Sequence, residues 1–128
     1  MKRLSIIAAI VLLAAGCGKP KEKLYAEQPT SSCLQKAGVQ VGGVGSDDFV
    51  ASSATGGAFH ATLKDNQVTV SFGETLVDAD NIDQAYRRFH AKNVGIDDVL
   101  RTQGNAVMLW HQHPSDDDIS TITGCLSS

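Results

Sequence analysis

Basic side chains are scarce in this sequence. From Cys33 to the C-terminus there are six lysines and arginines against twelve aspartates and glutamates, a net charge of −6. A surface this acidic repels phosphate backbones and excludes duplex nucleic acid as a partner. There is also no apolar run long enough to cross a bilayer: the stretch from Leu4 to Leu13 falls short of the roughly 20 residues that about 30 Å of hydrocarbon demands. The chain has only three cysteines and no Cys-x-x-Cys pair, which argues against a thiolate metal site. No Gly-x-Ser-x-Gly elbow or free active-site thiol is present to support nucleophilic catalysis. Gly42-Gly43-Val44-Gly45 lacks both the lysine and the spacing of a phosphate-binding loop and reads as a turn. Asp116, Asp117 and Asp118 lack the alternate spacing, central glycine and closing glutamate of a calcium loop. They suit a helix start, as do Asp47-Asp48 and Asp97-Asp98.

What is present begins at the N-terminus. Lys2 and Arg3 precede the apolar run, and Leu13-Ala14-Ala15-Gly16-Cys17 closes it with small residues before a cysteine. This segment resembles the lipobox of bacterial lipoproteins. The resemblance implies that residues 1–16 are a signal peptide and that Cys17 is acylated, anchoring the chain outside the cytoplasm in the cell envelope. Two acyl chains supply the stable attachment that a single chain does not. Gly18 is not the aspartate that favours inner-membrane retention, so a Gram-negative host would place the protein on its outer membrane. Lys19, Lys21 and Lys23 form a short basic tether, able to rest against anionic headgroups for about 1 kcal/mol each. With Cys17 acylated, Cys33 and Cys125 are an even pair in a compartment where disulfides persist. A bridge closing about 90 residues stabilises a domain by roughly 4 kcal/mol in the chain-entropy account.

Residues 17–30, polar and bracketed by Pro20 and Pro29, read as a linker, and residues 31–128 as one α+β domain. Ser31 or Ser32 can cap a helix through Cys33, Leu34 and Ala37, stopped by Gly38. Val39 and Val41 alternate as a short strand. Ser46-Asp47-Asp48 opens a helix to about Ala54. Phe59, Ala61 and Leu63, then Val68, Val70 and Phe72, alternate as a hairpin with one apolar face. Asp80 to Lys92 is a helix with Ile82, Ala85, Tyr86 and Phe89 on its core stripe, ending near Asn93, with His90 on its surface. A helical turn over Ile96 to Arg101 precedes a strand from Ala106 to Gln112. Ser115 caps a last helix whose stripe is Ile119, Ile122 and Leu126. Between the terminal helices the order βαββαβ predicts a ferredoxin-like split βαβ sandwich. That fold sets the first and last strands side by side and so brings the two terminal helices, and with them Cys33 and Cys125, together.

Three constellations bear on function. His111 and His113 alternate on a strand end, about 6.6 Å apart, and could share zinc or copper. His60 would lie on the opposite edge of the predicted sheet, three strand spacings or roughly 14 Å away. Met108 and Trp110, if they face outward beside Thr69 and Ser71, would form a partly apolar platform. The reading these support is a lipid-anchored, non-enzymatic binding module that meets the bilayer through Cys17 and an envelope protein through its surface, with no cofactor. The alternatives are a zinc- or copper-binding envelope protein and a hydrolase.

Overall fold

The computed structural model describes residues 23–90 and 95–128; the leader, Cys17 and the end of the central helix near Asn93 lie outside them. A five-stranded antiparallel sheet carries helices on both faces. The strands are β1 (Gln40–Gly43), β2 (Ala58–Thr62), β3 (Gln67–Phe72), β4 (Leu100–Gln103) and β5 (Ala106–Trp110). The helices are α1 (Glu27–Lys36), α2 (Phe49–Ser52), α3 (Leu76–His90), α4 (Ile96–Val99) and α5 (Asp116–Cys125).

The strand order is β1-β2-β3-β5-β4, not the ferredoxin-like order, and the first strand does not meet the last. The reason lies between Ile96 and Asn105. Only Ile96–Val99 is helical there, and Leu100–Gln103 folds back on β5 as a hairpin, turning at Gly104, whose φ of 56° suits glycine. Flanked by β4 on one side and β3 on the other, β5 has no edge left for β1.

Strand alternation sorts the side chains onto two faces. Phe59, Ala61, Val68, Val70, Phe72, Ala106, Met108 and Trp110 pack against Leu34 of α1 and Ile122 of α5. Val107 and Leu109 face the other way, toward Val50 of α2 and Ala79, Ile82 and Tyr86 of α3. This resolves why β5 is apolar at every position: both of its faces are covered. It also removes the expected platform. Thr69 pairs with Leu109 and Ser71 with Val107, while Met108 and Trp110 pair with Val70 and Val68 on the opposite face. All four of Met108, Trp110, Thr69 and Ser71 are buried.

Cys33 and Cys125 form a disulfide with their Cα atoms 5.4 Å apart. The helices that carry them meet because both cover the same face, not because β1 adjoins the last strand. A clasp reinforces them: Ala26 N–H donates to the Ser127 carbonyl at 2.7 Å, and Ser127 N–H to Thr30 Oγ1 at 3.1 Å. The ordered chain therefore starts before Ser31. Helix α1 begins at Glu27 and takes Pro29 into its first turn, where a missing N–H costs nothing. Upstream, the buried Asn105 side chain accepts from Tyr25 N–H at 2.6 Å and donates to the carbonyls of Tyr25 at 2.8 Å and Gly73 at 2.7 Å.

The expected cap of α5 is present in full. Ser115 Oγ accepts from Asp118 N–H, and the Asp118 carboxylate accepts from Ser115 N–H, each at 3.1 Å. Thr75 and Asp78 make the same reciprocal pair at the start of α3, also at 3.1 Å.

Candidate ligand-binding face

Functional geometry concentrates on the sheet face that carries α2, α3 and α4. Helix α2 is a single turn whose start is fixed by Asp48, which accepts from Ala51 N–H at 2.9 Å. The turn buries Val50 and Ala51, which leaves Phe49 outward and 70% exposed. Tyr86, fully buried on α3, donates its phenol proton to the Asp48 carboxylate, with oxygens at 3.3 and 3.4 Å. Burial pushes the pKa of that phenol well above its usual range; the Ser71 hydroxyl offsets part of the rise and the Asp48 charge adds to it. Asp48 thus ties α2 to α3 while capping α2.

One turn beyond Tyr86 comes Phe89. It is in phase with Ile82 and Tyr86, seven and three residues before it, and the sequence predicts it in the core. It is instead 63% exposed. The helical phase holds, but the space beneath is open: Phe89, Phe49, Val50, Asp47, Asp48 and His60 surround a hollow of about 650 Å³. Two of the chain's four phenylalanines therefore flank one depression, each forgoing roughly 2 kcal/mol of burial.

His60, on β2, closes this hollow on one side and opens onto a second of about 470 Å³, lined by Thr69, Ile96, Val99, Leu109 and His111 among others. Its Nδ1 lies 2.9 Å from the hydroxyl of Thr69, its register partner on β3. His60 is not on an edge strand. Only β3 separates β2 from β5, so two spacings of about 4.8 Å part it from the strand leading to His111. His60 and His111 share a hollow. His113 does not join them: its Nδ1 pairs with the Asp98 carboxylate at 2.6 Å, linking the loop before α5 to α4.

Among the described residues no group of three histidines, cysteines or acids is placed to hold a metal ion. The His60–Thr69 contact supplies an imidazole beside a hydroxyl, and no carboxylate among the described residues hydrogen-bonds that imidazole. Among the described residues, no helix is long and apolar enough to cross a membrane. No protein family, curated protein or solved structure matches the chain.

Sequence reasoning weighed His60 only as a third metal ligand and missed Phe49 and Phe89 as surface residues. The signal for Phe49 was its place directly after Asp48: the first residue of a one-turn helix points away when the next two are buried. For Phe89 the pattern carried no signal, since periodicity reports phase and not whether anything lies opposite.

Proposed function

We propose that this chain is a lipid-anchored, extracytoplasmic binding module of the bacterial cell envelope, without catalytic activity of its own, that docks a protein partner through Phe49 and Phe89. The observation that carries the reading is the exposure of both rings around one hollow; the other exposed large apolar residues among those described, Leu24 and Val77, do not line it. Exposed aromatics beside a concavity are the anchors that interfaces use. The leader and Cys17 support the address, and the disulfide agrees with an oxidising compartment. Purification from membranes tests both parts. The intact chain should bring down a defined partner that the Phe49→Ser, Phe89→Ser double variant loses. Cys17→Ser should move the chain to the soluble extracytoplasmic fraction; retention on washed membranes would remove the anchor.

One contact favours a second reading. The Asp98–His113 pair is the arrangement in which a carboxylate orients an imidazole for a metal. Two imidazoles make half of a tetrahedral site, so calorimetry with zinc should find nothing tighter than about micromolar. Nanomolar binding abolished by His111→Ala with His113→Ala would put metal carriage first.

A further inference from the structure

The hollow between His60 and α4 has two unlike walls. Ile96 and Val99 from α4, with Leu109 from β5, make one side apolar, while the imidazoles of His60 and His111 stand at the polar end. Its volume, about 470 Å³, is in the range that holds a small molecule. Thr69 is buried, and its hydroxyl lies 2.9 Å from His60 Nδ1. The Thr69 hydroxyl occupies Nδ1, which leaves Nε2 as the ring nitrogen that can donate to a ligand.

Among the described residues the lining contains no aspartate or glutamate, so an ammonium group would find no counter-charge from them. Among the described residues it contains no lysine or arginine either, so a doubly charged phosphate would lose its water without a cation from them to replace it. A monoanion satisfied by N–H donors fits. We infer that this hollow binds a small amphiphile with a carboxylate head, seated between His60 and His111, and an apolar or aromatic body lying on Leu109 and α4. The site adjoins the Phe49–Phe89 hollow but does not depend on docking there.

The ring of Trp110 is buried on the opposite face of the sheet, so occupancy of the hollow is read by the heat of binding. The purified full chain would be titrated in a calorimeter with 4-phenylbutyrate, 4-phenylbutanol and 4-phenylbutylamine, which differ only in the head. The acid should give a saturable change and bind at least tenfold more tightly than the alcohol or the amine. His60→Ala and His111→Ala should each weaken it at least fivefold at an unchanged thermal midpoint. Phe49→Ser, which disables docking, should leave acid binding within twofold, so that failure of one reading is told apart from failure of the other. Alcohol or amine binding as tightly as the acid, acid binding indifferent to both histidines, or no saturable change with any probe would each overturn the inference.

Discussion

Reducing the Cys33–Cys125 bridge probes the fold at the point where its two terminal helices meet. The cross-link spans 92 residues. For a loop of that length the chain-entropy account removes about 15.6 cal/mol/K from the unfolded ensemble, or about 4.6 kcal/mol at 25 °C. The native structure keeps part of the helix pairing without the bond. The Ala26 and Thr30 contacts to Ser127 remain, Ile122 stays fully buried, and the Ser115–Asp118 box still starts α5. Residual order in the reduced unfolded chain lowers the loss further, so the expected cost is about 2–4 kcal/mol. A domain of this size shifts its midpoint by roughly 4–8 °C per kcal/mol, so reduction should lower it by about 8–32 °C. Thermal unfolding followed by Trp110 emission, with and without reductant, measures this directly. The Cys33→Ala, Cys125→Ala double variant should match the reduced protein. A shift under about 3 °C would refute the argument, because it would mean that the bond constrains an unfolded chain already closed by other means.

Other substitutions test single interactions. Asn105→Ala removes three hydrogen bonds to Tyr25 and Gly73 from a buried site and should cost about 2–4 kcal/mol by chemical denaturation; a cost below 1 kcal/mol would show that water replaces the amide. Gly73→Ala should be at least as damaging, since its Cβ would come 2.5 Å from Ala79 N and 2.6 Å from Thr75 O; a variant within about 0.5 kcal/mol of the parent would contradict that clash. Tyr86 gives a pH dependence. Its phenol pKa is raised in the folded state, so the unfolded chain loses that proton first. The contribution is full below about pH 10 and declines as pH rises from there. Denaturation midpoints between pH 9 and 11 should fall more steeply for the parent than for Tyr86→Phe; parallel slopes would remove Tyr86 as the cause.

Much of this architecture was legible in residue order. The Ser115-x-x-Asp118 box, the β2–β3 hairpin and the Gly38 stop all lie where local rules put them, because capping, alternation and left-handed φ are decided within a few residues. Thr75-x-x-Asp78 obeys the same rule as the α5 box and marks α3 from Leu76, four residues before Asp80; the apolar stripe drew attention past it. Strand order was not legible. It turned on whether Leu100–Gln103 continued a helix or paired with β5, and Leu-Arg-Thr-Gln carries no strong preference by itself. The facing of Trp110 was ambiguous for a related reason, since a strand covered on both sides has no polar phase to read. The candidate site was the least legible part. Phe89 follows the core pattern in every respect, and only the hollow beneath it, formed by β2 and α2, leaves it on the surface.

The docking claim is tested most directly by photo-crosslinking in intact membranes. A photoreactive residue would replace Phe49, Phe89 or, as a control, Lys36, which is exposed on α1 over the other face of the sheet. Positions 49 and 89 should yield the same discrete protein adduct, and position 36 should not. Phe89→Ser should erase the adduct from position 49 while costing less than about 1 kcal/mol of stability, as suits a residue already mostly exposed. Equal adducts from position 36, or none from 49 and 89, would contradict a docking role for this face.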